Sequence, residues 1–208
     1  PGLNLYFHEV QSMNYPVLPG ELMGISIASK TIQVVRDYAL DLVHAHYAIP
    51  HAISAWLARE VVNDSRRRFK MVTTLHGTDI TLVGRAPSFY PVAQFAIDRS
   101  DAVTTVSRWL KEETIREFGI QREIEIIPNF VDERTFVHKP DCPLRGYFAP
   151  NDEKLFLHVS NFRPVKRLPD VIQVFARVHE QMPARLLLIG DGPERDAAEH
   201  LARQLGVQ

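Results

Sequence analysis

Apolar positions along the chain follow two alternating rhythms. Short runs rich in β-branched and aromatic residues mark strands, and between them apolar residues recur every three or four positions, which marks amphipathic helices. Leu3–Val10 predicts a strand, and Glu21–Leu40 a helix with Ile25, Ala28, Ile32, Val35 and Ala39 on one stripe. Leu42–His46 and Phe69–Leu75 predict strands on either side of a helix over Ala52–Val62, and Ser88–Ile97 predicts another helix. Ala102–Val106 predicts a strand that runs directly into a helix over Ser107–Phe118, with Gly119 where a C-cap belongs. Ile124–Ile127 reads as a buried strand ending at Pro128. Further on the alternation resumes, with strands at Leu155–Ser160 and Arg185–Ile189 and helices at Pro169–Met182 and from about Pro193. Proline at the first helical position sacrifices no hydrogen bond, which suits both Pro169 and Pro193.

Strand–helix–strand alternation predicts an α/β protein whose sheets are parallel, covered by helices on both faces, and active at the carboxyl ends of their strands. The rhythm breaks over residues 138–153, where three of the chain's 14 prolines fall among charges and Gly146. That composition predicts a linker between a domain over residues 1–137 and a second unit over residues 154–208.

With 45% apolar and 24% charged residues the chain is neither disordered, fibrous nor a disulfide mini-protein. Lys plus Arg total 24 and Asp plus Glu 25, a net charge of −1, so there is no broad electrostatic case for nucleic acid or an acidic membrane. Cys142 is the one cysteine and cannot form an internal disulfide, which favours a reducing, cytoplasmic setting. No apolar run reaches the roughly 20 residues that span a bilayer.

Four constellations follow the predicted strands. His44-Ala45-His46-Tyr47 with His51 offers hydrogen-bonding rings at a strand end; a metal site there would need further ligands that the spacing does not supply. Thr73-Thr74-Leu75-His76-Gly77-Thr78-Asp79-Ile80-Thr81 is too dense in polar groups for a simple turn, and His76 can hold a substrate hydroxyl or move a proton near neutral pH. Asn161-Phe162-Arg163-Pro164-Val165-Lys166-Arg167 places three cations before a helix N-terminus, a setting for phosphate or diphosphate. Gly190-Asp191-Gly192-Pro193-Glu194 has the first two glycines of a dinucleotide fingerprint but Arg195 in place of the third, so it is a tight turn beside that pocket. There is no P-loop, no G-x-S-x-G elbow and no Asp-x-Asp pair to hold a divalent cation, so a diphosphate would be neutralised by Arg, Lys and helix dipoles.

The succession HGTDIT, DAVTTVSRWL, IIPNFVDERTF, SNFRPVKRLPDVIQVF and LLLIGDGPE resembles the retaining glycosyltransferases of family four, and it does so almost from end to end. That resemblance implies the GT-B fold, two Rossmann-like parallel-sheet domains, both incomplete in this chain. HAHYAIPHA, TTLHGTDIT and NFRPVKR are closest to members that transfer N-acetylglucosamine from UDP-N-acetylglucosamine to L-malate, the first step of bacillithiol synthesis. By the same resemblance Tyr47 and Thr74 contact the acceptor, and His76 is the catalytic-site residue that bonds a hydroxyl of the transferring sugar. Asn161, Arg163, Lys166 and Gly190 bind the donor, with Lys166 neutralising the leaving diphosphate. Many members carry an arginine five residues before that lysine; here Asn161 stands there and Arg163 lies three before.

No metal or other cofactor is expected. The partners are small molecules, a UDP-sugar and L-malate, with homo-oligomerisation left open. The family's first strand and glycine-rich loop are expected before Pro1 and a glutamate-containing donor loop beyond Gln208, so the chain by itself is expected to be inactive. The rival readings are a family-four enzyme for a polysaccharide or lipid acceptor, for which Arg66-Arg67-Arg68-Phe69-Lys70 is the one basic candidate patch, a non-catalytic sugar-nucleotide module, and a UDP-sugar epimerase.

Overall fold

A computed structural model describes residues 5–12, 22–62, 69–137 and 143–208. The chain divides into two compact units, Pro1–Val131 and Asp132–Gln208. In the first, the elements run α1 (Met23–Tyr38), β1 (Leu42–His46), α2 (Ile53–Val62), β2 (Lys70–Leu75), α3 (Thr78–Thr81), α4 (Tyr90–Arg99), β3 (Ala102–Thr105), α5 (Arg108–Phe118) and β4 (Glu125–Ile126). The strands form one parallel sheet in the order β1-β2-β3-β4.

Register decides what each face of that sheet carries. Val43 pairs with Met71, Ala45 with Thr73, and Thr73 with Val103, so these residues share one face. Against it lie the buried clusters: Ala28, Val35, Ala58, Val62 and Phe69; then Ala45, Ala52, Ala55, Met71 and Ala96; then Leu75, Ile80, Ile97, Val103, Leu110 and Phe118 among others. The alanines let helices lie close to the strands. The opposite face carries His44 and His46, both exposed, with Thr74 and Thr104 beside them. A parallel sheet buried on both faces reads as near-continuous apolar runs. The alternation in Leu42-Val43-His44-Ala45-His46 makes this one two-sided in character.

Helix ends behave as their residues dictate. Ser107 Oγ accepts the Leu110 N–H at 3.2 Å as the N-cap of α5, and Gly119 closes that helix at φ 62°. The Arg122 guanidinium gathers the carbonyls at and just beyond the end of α4, donating to Ile97 O at 3.3 Å, Asp98 O at 3.2 Å, Asp101 O at 2.7 Å and also to Ser100 O. A second arginine is buried outright. Arg59, 4% exposed, gives Nη1 to Asp101 Oδ2 and Nη2 to Arg99 O, each at 2.8 Å. Asp101 also accepts the Met71 N–H at 2.8 Å and Lys70 Nζ at 3.1 Å, tying α2, β2 and the start of β3 together.

The second unit contains α6 (Pro143–Phe148), β5 (Lys154–Val159), α7 (Leu168–His179), β6 (Ala184–Ile189) and α8 (Arg195–Gln204). β5 and β6 pair in parallel from Lys154↔Ala184 to Val159↔Ile189. Phe162, Leu168, Ile172 and Ala198 form its core with Leu188 and Leu201.

Three expectations need correcting. The predicted strand Leu3–Val10 is not seen: residues 5–10 adopt no regular structure, Leu5 is 85% exposed, and residues 3–4 lie outside the described residues. Aromatic and β-branched composition suits a strand, but a strand exists only through a paired neighbour, and β1 pairs solely with β2 among the described residues. The last helix begins at Arg195, not Pro193, because Glu194 N–H is drawn to Phe162 O at 2.9 Å and holds Pro193 in a turn. The stretch 138–153 contains α6, while residues 138–142, Cys142 included, and residues 66–68 lie outside the described residues.

Burial opposes ionisation of Asp101, but the Met71 N–H, Lys70 and Arg59 outweigh it and hold the carboxyl below its ordinary range. Replacing Asp101 with Ala strands the buried Arg59 charge and should cost about 3 kcal/mol at pH 7, read by urea denaturation. Because the folded-state pKa is depressed, the contribution is present above the ordinary carboxylate pKa of about 4. It is lost as pH falls through the lowered folded value, so wild type and variant should converge in acid.

Candidate functional site

The carboxyl ends of β1 and β2 each open into an unusual turn. Tyr47 follows β1 with φ 77° and ψ 137°, outside the basins open to a bulky side chain. The surrounding chain imposes that conformation: Tyr47 N–H donates to Thr74 O at 2.9 Å, and Tyr47 O accepts the Ala52 N–H at 3.1 Å. Strain of this kind persists where the structure over-determines it, which is common at binding sites. After β2 the chain turns at Gly77, whose φ of 118° and ψ of −53° exclude L side chains although no neighbouring atom crowds it.

Asp79 fastens the two turns to one another. Its carboxylate, 2% exposed, accepts the Ala48 N–H on Oδ2 at 3.0 Å. On Oδ1 it accepts the Gly77 N–H at 3.0 Å and the His76 N–H at 3.2 Å. The residue after Tyr47 and the backbone of His76 are thereby held by one side chain.

The polar face of the sheet rises into this corner as a connected set of rings and hydroxyls. His44 Nε2 and Thr104 Oγ1 each lie 2.7 Å from Thr74 Oγ1, and Thr74 is 8% exposed. His46 Nδ1 lies 2.8 Å from His76 Nε2. The Tyr47 ring centroid is 4.9 Å from that of His76, and His51 Nδ1 donates to His46 O at 2.5 Å. Burial lowers the pKa of His44, and the His46 and His76 rings lower it further. Burial and then His46 also lower His76, against an upward pull from Asp79. The rings therefore favour their neutral forms, each able to donate and accept a hydrogen bond, which suits a ligand rich in hydroxyls. Among the described residues no group of three or more His, Cys, Asp or Glu side chains is arranged to hold a metal ion.

Tyr47, Thr74 and His76, singled out in sequence, thus meet in one corner, with Thr74 as its buried floor. Sequence reasoning counted Asp79 only as one polar residue among several and did not see Thr104. The signal for Asp79 was its place three residues after His76, at the start of a short helix, where an acidic side chain collects free N–H groups.

In the second unit the loop after β5 carries Asn161, Arg163 and Lys166, all exposed. Arg167 pairs with Asp170, and Arg195 with Glu199 at 3.1 Å, whereas Arg163 and Lys166 make no ion pair among the described residues. Two of the loop's three cations are therefore open to an external anion. The α7 N-terminus adds less than expected, because the Asp170 and Val171 N–H groups already donate to Arg167 O at 3.0 and 3.3 Å. Gly190 has φ 141°, and a Cβ there would stand 1.8 Å from Ser160 O. Beside it Phe162 N–H bonds Asp191 O at 2.9 Å, so packing between the two loops alone accounts for the glycine.

Comparison with known proteins matches the family described as Glycosyltransferase Family 4 over residues 2–135 and Glycosyl transferases group 1 over residues 145–208. The chain is 42% identical over 206 residues to N-acetyl-alpha-D-glucosaminyl L-malate synthase of Bacillus anthracis, covering 99% of this chain and 53% of that protein. It is 26% identical over 189 residues to a GDP-mannose-dependent phosphatidylinositol monomannoside mannosyltransferase of Mycolicibacterium smegmatis, covering 88% of this chain and 47% of that protein. The chain spans about half the length of the curated relatives it matches. Among solved structures, HepE of Anabaena in complex with UDP and glucose superposes with a TM-score of 0.68 at 20% identity, over 87% of this chain and 48% of that one.

Asp79→Asn replaces an acceptor of three N–H bonds with an amide that turns one donor toward another. With each stranded buried donor worth about 1–3 kcal/mol, urea denaturation should show a loss of about 2–4 kcal/mol. The Ala48, His76 and Gly77 amides should lose protection from hydrogen exchange together.

Proposed function

The chain belongs to glycosyltransferase family 4 and has the GT-B fold, and from that premise we propose that it forms part of a retaining enzyme transferring N-acetylglucosamine from UDP-N-acetylglucosamine to L-malate. The observation that carries this reading is the 42% identity to the malate enzyme over 99% of the chain.

Chemistry and geometry support it. Transfer breaks the bond between the anomeric carbon and the diphosphate oxygen. A bond forms on the same face from the malate hydroxyl oxygen, whose proton passes to the departing phosphate, and UDP leaves. The barrier falls when fixed cations meet the negative charge that develops on the leaving group. Lys166 and Arg163 supply them, and they are the loop cations with no carboxylate of their own among the described residues. Asn161 and the backbone at Gly190 flank them. His76 bonds a hydroxyl of the transferring sugar, and Tyr47 over the floor of Thr74 contacts the acceptor. This division of labour requires no carboxylate nucleophile and no metal.

Malate is a dianion, and several basic side chains of the first unit are already committed. Arg59, Lys70, Arg85 and Arg116 hold carboxylates, and Arg122 holds carbonyl groups. Arg108, at the start of α5 just beyond the carboxyl end of β3, has no ion pair among the described residues. We assign it to an acceptor carboxylate.

In the full-length protein, UDP release from UDP-N-acetylglucosamine should depend on L-malate and persist in EDTA. Lys166→Ala should lower kcat about 100-fold or more, while Arg108→Ala should raise the malate KM with a smaller effect on kcat. UDP release that ignores malate but responds to a lipid or oligosaccharide acceptor would overturn the acceptor assignment. Abolition by EDTA would overturn the metal-free one.

A further inference from the structure

The His76 ring has one hydrogen-bond partner among the described residues, and it is neither a carboxylate nor a backbone carbonyl. It is another histidine. His46 Nδ1 stands 2.8 Å from His76 Nε2, with the ring planes inclined at 30° and the centroids 5.1 Å apart, so the rings meet edge to edge. We propose that His46 is the positioning residue for His76, accepting the His76 Nε2–H at its own Nδ1 and so leaving His76 Nδ1 as an unprotonated acceptor for a ligand hydroxyl. The inference rests on the reading that His76 contacts the transferring sugar, and it adds which nitrogen makes that contact and what selects it.

The direction of the bond follows from tautomer chemistry. Two ring nitrogens at this separation share one proton, and in neutral imidazole the other nitrogen of each ring must balance that choice. With His76 Nε2 as donor, both rings adopt the Nε2–H form that neutral imidazole ordinarily prefers. With His46 as donor, both would be forced into the less favoured Nδ1–H form.

The neighbours leave this arrangement undisturbed. Asp79, the nearby carboxylate on α3, spends both oxygens on backbone N–H groups of Ala48, His76 and Gly77. On β1, His44 is turned to Thr74 Oγ1 at 2.7 Å. In the turn that follows, His51 donates to His46 O at 2.5 Å, which steadies the residue without occupying its ring. Tyr47 meets His76 through its ring, with centroids 4.9 Å apart. The backbone of His46 lies in register with Thr74 on β2, so its ring springs from a hydrogen-bonded ladder and not from a mobile loop. Burial and the His46 ring both disfavour protonation of His76, which keeps its acceptor nitrogen available near neutral pH.

The test pairs a spectroscopic readout with kinetics in the full-length protein. Nitrogen-15 NMR of labelled histidine, with His76 assigned by the loss of its signals in His76→Gln, should show Nε2 protonated and Nδ1 bare at pH 7.5. In His46→Ala that signature should collapse to a mixture of tautomers. In His46→Asn, whose Oδ1 replaces the lost acceptor, it should survive. On UDP-N-acetylglucosamine and malate, His46→Ala should lower kcat about 10- to 100-fold, with recovery in His46→Asn. In both variants the acid limb of the pH profile should move to higher pH, because the ring that depresses the His76 pKa has gone. A protonated Nδ1 in the wild type, or His46→Asn as slow as His46→Ala, overturns the proposal. Absence of malate-dependent turnover in the wild type would instead sink the functional reading, and the NMR result would still decide the role of His46.

Discussion

The Asp79 carboxylate is buried, carries no salt-bridge partner among the described residues, and accepts three backbone N–H groups from two different turns. Partial positive charge on those amides is what makes a buried anion tolerable here, since a carboxylate removed from water must be satisfied by donors or it protonates. The constraint acts in both directions. The amides have no other partner among the described residues, so the carboxylate fixes the backbone at Ala48 relative to that at His76. Tyr47 precedes the first of these positions, and its unfavourable φ is sustained because the clasp on one side and the β2 carbonyl of Thr74 on the other leave no room to relax.

The division of the sheet into an apolar face and a polar face follows from the same economy of position. Parallel strands side by side keep residues of equal parity on one face, and the register from Val43 through Met71 to Val103 brings every large buried strand residue of this unit to the helical side. On the reverse, His44, Thr74 and Thr104 are joined in hydrogen bonds, and His46 reaches His76. Polar side chains on a strand are rigid in a way loop residues are not, and a site built from them has its geometry set by the ladder. The network of buried Arg59 with Asp101 at the opposite ends of the strands anchors that ladder from below.

Much of this was legible before any coordinates. Helical periodicity located α1, α2, α5 and α7 to within a few residues, and Ser107 and Gly119 capped α5 as their chemistry predicts. The density of polar residues after two strands pointed to Tyr47, Thr74 and His76, which do come together. Illegible were the features that depend on partners distant in sequence. The run Leu3–Val10 has the composition of a strand but its described part pairs with no strand among the described residues, Pro193 was displaced by a bond from Glu194 to Phe162, and the pairing of His46 with His76 joins residues 30 positions apart. Asp79 was visible as an acidic residue, yet its role is defined by Ala48, 31 positions earlier.

Charge in the second unit shows the same limit from the other side. Read as a string, Arg163, Lys166 and Arg167 are three equivalent cations ahead of a helix. Folded, they are not equivalent: Arg167 is neutralised by Asp170 one turn on, and its own carbonyl takes the Asp170 and Val171 amides. The attraction for an anion is concentrated on Arg163 and Lys166, which flank the short turn from Pro164 to Lys166. That turn is itself held by the interlocked loops at Phe162, Asp191 and Glu194, a closeness that only glycine at position 190 permits. Loop packing thus fixes the backbone from which both cations project, while their long exposed side chains keep the rotamer freedom to reach an anion.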